Sequence, residues 1–171
     1  PATIGPEGTM RLQRQTPFTL DAMKAAFPGH EILTDRAMSG DQAYPVFLVQ
    51  TIASEGTPSR LVYVVEPDWD LGKVASVVTR NPDVTGPYGG RVGTMKFKDL
   101  TKEARARCTL EPGPIDSLFI CPDNIETPHF IRAFGAGVDF DGKLADAAPD
   151  YQKEAVLLEM KFIPRPARKN P

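Results

Sequence analysis

Apolar positions recur along the chain in two rhythms, and both halves take them in the same order. Leu20, Met23 and Phe27 fall at i, i+3 and i+7, one face of a helix that belongs to a core. Thr19 supplies its N-cap, Asp21 lies at its positive end, and Pro28-Gly29 stops it. Strand-like runs follow. His30 to Asp35 reads as a short strand, Ser39-Gly40-Asp41 as a turn. Val46 to Thr51 and Leu61 to Val65 are rich in β-branched and aromatic residues and flank the polar tip Ala53 to Ser59, which predicts a hairpin. Asp68-Trp69-Asp70-Leu71-Gly72-Lys73 is the next turn, and Val74 to Thr79 the next strand.

The second half repeats this plan. Thr9 to Gln13 and Val92 to Met95 are each weakly strand-like, and each precedes a helical stretch opened by a phenylalanine, Phe18 or Phe97. Leu100, Ala104, Ala106 and Cys108 bracket a charged helix. Leu118 to Cys121, Phe130 to Phe134 and Ala155 to Phe162 read as strands. Gly5 precedes Gly86 by 81 residues and Phe18 precedes Phe97 by 79. Pro45 to Gln50 matches Ser117 to Pro122 at an offset of 72, and Leu61 to Glu66 matches His129 to Phe134 at 68. The offset recovers to 82 at Pro82 and Pro164, through the longer insertion Gly135 to Lys153. Length differences confined to turns are what a duplicated unit shows. The expected fold is α+β: a tandem repeat of a helix packed on an antiparallel β-meander, copies 1–84 and 85–171, able to share one continuous sheet. Residues 165–171 read as a flexible tail. Helices on one side leave the other face open to solvent or a partner.

Composition narrows the partners little. The chain has 171 residues, is 41% hydrophobic and 25% charged, and carries a formal charge of −2. Residues 1–85 hold seven Lys/Arg against ten Asp/Glu, and 86–171 hold thirteen against twelve, so neither half predicts a nucleic-acid partner. No apolar run approaches the roughly 18–20 residues that span a bilayer, and the opening residues from Pro1 read as a loop rather than a signal peptide, as in a mature or trimmed chain, which leaves the compartment open.

Two cysteines, Cys108 and Cys121, fall at a helix end and on the strand expected to face it. That placement favours a disulfide over two buried thiols or a redox pair, since Cys-x-x-Cys spacing is absent. Closing a loop of about 14 residues contributes on the order of 3 kcal/mol in the chain-entropy model, and the bond implies an oxidising compartment.

Catalytic patterns are sparse. His30 and His129 have no partner at metal-ligand spacing, so no metal or other cofactor is expected. Asp68-Trp69-Asp70 and Asp139-Phe140-Asp141-Gly142 alternate acids as calcium loops do, but lack the third acidic position and the closing glutamate. Duplicated turn chemistry explains them better. Gly86-Pro87-Tyr88-Gly89-Gly90 has no Gly-Lys-Ser/Thr ending and is no phosphate loop. Ser54, Ser59, Ser76 and Ser117 sit in no nucleophile elbow. Trp69 in its acidic turn is either a plug on the sheet edge or an exposed anchor for a partner.

Ile4-Gly5-Pro6 leading to Thr16-Pro17-Phe18, Val84-Thr85-Gly86-Pro87 leading to Arg91-Val92-Gly93-Thr94-Met95, Ile120-Cys121-Pro122, and the closing Leu158 to Pro164 carry a resemblance. Through them the chain resembles the sigma-E-regulated lipoproteins of the bacterial envelope. The resemblance implies a periplasm-facing protein, no enzymatic activity, and membrane attachment only through a lipid-bearing cysteine upstream of Pro1. The tandem architecture is similar to that of the β-lactamase inhibitory protein. The leading expectation is a non-enzymatic periplasmic binding or envelope-maintenance protein whose partner is an envelope protein or cell-wall component. Its partner surface would be bordered by Trp69 with Asp68 and Asp70, and by Phe140 with Asp139 and Asp141. A proteinaceous inhibitor of a periplasmic or cell-wall hydrolase is the runner-up. The rival from another class is an enzyme using those four aspartates as acids or ligands between the repeats.

Overall fold

The structure, a computed structural model, describes residues 1–112, 117–135 and 154–166. Thr19 caps α1 (Leu20–Ala26) by accepting from the Ala22 amide, and Thr101 caps α2 (Lys102–Ala106) by accepting from Ala104. Both helices are too short to persist in water alone, so packing holds them.

The strands are β1 (His30–Ser39), β2 (Gln42–Thr51), β3 (Leu61–Pro67), β4 (Val74–Thr79), β5 (Thr109–Pro112), β6 (Ser117–Pro122), β7 (Phe130–Gly135) and β8 (Val156–Phe162). They form one antiparallel sheet in the order β1-β2-β3-β4-β8-β7-β6-β5. The fold is therefore α+β, with one sheet running through both halves. Each helix precedes a four-stranded meander, and the meanders meet where β4 pairs with β8.

Register decides which residues face the core. Opposite partners share a face, so Phe47↔Val65, Val49↔Tyr63, Val65↔Val77, Val77↔Phe162, Phe130↔Phe162 and Phe119↔Phe134 carry one apolar layer across six strands. Met23, Ala26 and Phe27 of the first half and Phe97, Leu100 and Ala104 of the second pack in that one core. Phe18 meets Phe47 at 4.5 Å between ring centroids, and Phe97 meets Phe119 at the same 4.5 Å. The Cys108–Cys121 disulfide ties the end of α2 to β6, with Cα atoms 4.2 Å apart.

Several elements differ from the expectation. Leu20 is exposed; the buried face of α1 is Met23, Ala26 and the C-cap Phe27, because Leu20 stands at the first helical position, outside the contact with the sheet. Strand β1 runs on to Ser39, and β5 adds an eighth strand. Neither Thr9–Gln13 nor Val92–Met95 is a strand. Thr9 and Leu12 close a tight turn on each other. Gly93, at φ +83°, interrupts the second segment, although its amide still donates to Leu157 O at 2.8 Å. Arg165, placed in the expected tail, donates to Asp68 Oδ2 and to Val74 O, each at 3.3 Å.

Tyr63 fastens the N-terminal segment to the sheet. It is fully buried, and its hydroxyl donates to Thr3 O at 2.8 Å. Burial pushes the phenol up to about 12, against smaller opposing effects of hydrogen bonding with Thr9 and Thr3. Below pH ~10 the phenol is neutral in both folded and unfolded chains and stability is indifferent to it. Between about 10 and about 12 the unfolded chain loses the proton and the folded one keeps it, so stability falls by up to about 2–3 kcal/mol. Tyr63→Phe should cost about 1 kcal/mol at neutral pH through the lost hydrogen bond. It should also remove most of the decline in urea-unfolding free energy between pH 9 and 11. An undiminished decline in that variant would place its source elsewhere.

Candidate functional site

The face of the sheet away from the helices carries a groove of about 650 Å³, within the range of ligand-sized clefts. It exists because alternate residues of β3, β4 and β8 that do not enter the core point the other way. Val64 pairs with Val78, and Val78 with Lys161, so the floor crosses the junction of the two meanders. Val64 and Val78 are only partly buried, and no helix among the described residues covers them. An antiparallel sheet can leave one face to solvent, and apolar residues grouped in a groove on that face mark a candidate partner surface.

One end of the groove is held by carboxylate chemistry. Glu66 accepts from the Tyr44 hydroxyl at 2.9 Å and from Ser76 Oγ at 3.3 Å. The hydrogen bond to Glu66 is the main reason the Tyr44 phenol titrates above its ordinary range, with partial burial and the carboxylate's charge adding to it. Farther along, Arg80 donates through Nε and Nη2 to Glu159 Oε1 at 3.2 and 3.0 Å. This pair is largely exposed, so it orients the guanidinium rather than stabilising the fold. Arg60 and Lys161, also on the lining, have no ion-pair partner among the described residues. The groove thus combines an apolar floor, an anchored carboxylate and two free cations. That suits a partner presenting apolar side chains beside an acidic group.

The aspartates singled out in the sequence are arranged differently. Asp68 Oδ1 accepts from the Trp69 amide and Asp70 Oδ1 from the Gly72 amide, each at 2.9 Å, which shapes their own turn. Phe140, Asp139 and Asp141 lie outside the described residues. A four-aspartate site is therefore not assembled among the described residues, and no group of His, Cys, Asp or Glu there has the geometry to hold a metal. Trp69 is 91% exposed and packs in no core; it does not line the groove. The turn is tied instead to the strap leading into α1, through the Phe18 amide donating to Gly72 O at 3.2 Å.

The groove residues escaped notice in the sequence. Tyr44 and Glu66 are 22 positions apart, and Arg80 and Glu159 are 79 apart. Only the alternation within Val62-Tyr63-Val64-Val65-Glu66 hints that Val64 and Glu66 share a face.

Trp69 is the only tryptophan, so its fluorescence reports on this turn alone. The native protein should show water-like emission, quenched by acrylamide nearly as readily as in the unfolded chain. Trp69→Ala should shift stability by no more than about 0.5 kcal/mol, as for a surface site. Emission shifted to the blue and shielded from quencher would mean that the turn folds against something apolar.

No family model matches this chain, and no curated protein does. Among solved structures it is similar to the crystal structure of the uncharacterized protein yfeY from Escherichia coli, at 15% sequence identity and a TM-score of 0.64. The match covers 94% of this chain and 99% of that one. At that identity the likeness is one of fold alone.

Proposed function

We propose that this is a non-enzymatic binding protein of the bacterial envelope, facing the periplasm, which holds an envelope protein or cell-wall component on the open face of its sheet. The groove across the β4–β8 junction carries the reading, because its apolar floor is solvated at a cost unless something covers it. The Cys108–Cys121 bond supports an oxidising compartment. The sequence likeness to sigma-E-regulated lipoproteins supports the same compartment. It also suggests attachment to the outer membrane through a lipid-bearing cysteine upstream of Pro1.

We further infer that the two halves are copies of one helix-plus-meander unit. The element order is the same in each, and Phe18 lies on Phe47 at the ring spacing at which Phe97 lies on Phe119. A duplicated unit joined edge to edge leaves a junction with no counterpart in a single copy. The groove occupies that junction. A second reading, a proteinaceous inhibitor that inserts a loop into a hydrolase cleft, is favoured by one observation: the exposed Trp69 on a turn rigidified by Asp68 and Asp70.

The two readings separate by position. A photo-activatable residue at Val64 or Val78 should form a covalent adduct in the living envelope, whereas one at Lys102 on α2 should form none. Arg80→Glu should reduce the groove adduct several-fold without changing the fold. Adduct from position 69 alone would select the inhibitor reading, and equal labelling from all positions would remove the support for a specific face.

A further inference from the structure

On the helix side of the sheet, the face opposite the groove, Arg132 occupies a position that the register assigns to the core. Its strand neighbours are Cys121 on β6 and Met160 on β8, both buried. Phe130 and Phe134, two residues away on either side, are buried as well. Its Nε is sealed from solvent and has no hydrogen-bond partner among the described residues. Among the described residues Nη1 has only the soft sulfur of Met95 at 3.9 Å, and the guanidinium sits 5.7 Å from the centre of the Phe130 ring. No carboxylate lies within ion-pair distance among the described residues. Asp123 is the acid on the neighbouring loop, and its Oδ1 is engaged by the amides of His129 and Phe130.

A cation in such surroundings is costly unless an anion completes it. Burial and the neighbouring Arg107 both act to lower the guanidinium's affinity for its proton. A core position needs no charge there. A second cation stands nearby, and Asp123 and Tyr88 offset it only in part: Arg107 Nε donates to Pro122 O at 3.2 Å, beside the Cys121 that faces Arg132.

The segment above has the form of a rim. Gly86 and Gly90 bring the turn so close that a Cβ would stand 2.5 Å from Met160 Sδ and 2.6 Å from Met95 Sδ, the two methionines flanking Arg132. Between them Tyr88 is fully exposed and holds φ +57°, a strained value for an aromatic residue. Strain kept at an exposed position is characteristic of binding sites.

We propose that Arg132, with Arg107 and Tyr88 at its rim, is an oxyanion-binding site that takes a carboxylate or phosphate group through the forked N–H donors of the guanidinium. Planar guanidinium matches both groups in two-point geometry, and Arg132 is only partly buried, so its outer N–H donors can be reached from solvent. The shared chemistry is an oxyanion; the group's source is what the two probes below separate.

The test follows the arginine Nε–Hε resonances of the full chain during titration with inorganic phosphate and, separately, with acetate. The Arg132 resonance should move saturably with a dissociation constant on the order of 1 mM for the better probe. The Arg14 resonance should stay still: its Nε is sealed and unpartnered like that of Arg132, but its Nη2 already has Pro6 O and the Glu7 carboxylate. Stronger response to phosphate points to a phosphoryl-bearing ligand, and stronger response to acetate to a carboxylate. Arg132→Met should abolish the response and melt no lower than the parent, because it removes an unpaired charge at similar volume. Arg132→Lys should weaken binding about tenfold, since the fork is lost. An Arg132 resonance unmoved by both probes, or equal movement of every arginine, would overturn the site. So would Arg132→Met melting several degrees lower, which would make Arg132 a structural residue.

Discussion

The pairing of β4 with β8 is the interaction on which the rest depends. Among the described residues, the strand pairs that join the two meanders are Val77↔Phe162, Val78↔Lys161 and Thr79↔Met160. Val77 and Phe162 complete the core layer, while Val78 and Lys161 stand on the other face and form the middle of the groove. The strict alternation of side chains makes these two roles inseparable. A half of about 80 residues has a marginal core by itself, so burial of Val77, Met160 and Phe162 across the junction is what makes one stable unit.

The ends of this long sheet are managed separately. β1 and β5 are its edges, and an edge offers unpaired backbone groups to other chains. On β1 the exposed Glu31, Asp35 and Arg36 discourage such pairing. Behind β5, the disulfide holds α2 and β6 together where the second helix is only five residues long. The first half has a longer helix and the Phe27–Tyr63 contact at 5.2 Å in the corresponding layer. A covalent bond thus stands at the shorter of the two helices.

The legible parts of the sequence were those with a strong local period. Val46–Thr51, Leu61–Val65 and Val74–Thr79 announce strands because β-branched residues crowd a helix and suit a pleated surface. The cysteine pair was legible once α2 and β6 were placed. The second half of β1, Arg36-Ala37-Met38-Ser39, was not, since an exposed edge strand has no apolar alternation to display. Leu20 misled because helical spacing fixes a face but not where the contact with the sheet begins. The groove was hidden for another reason: its members meet only through register, and Arg80 gives no sign of Glu159. Arg132 could have been found, because the alternation Phe130-Ile131-Arg132-Ala133-Phe134 places it among core residues, where a lone arginine needs explanation.

The central claim is that the junction makes the two halves one cooperative body with one core and one open face. Native-state hydrogen exchange tests it most directly. The amides of Val77–Thr79 and Met160–Phe162 should exchange only through global unfolding, with the same opening free energy as β3 and β7. Exchange of the first meander with a free energy distinct from that of the second, and junction amides released at the lower of the two, would mean two independent bodies in contact and would contradict the account.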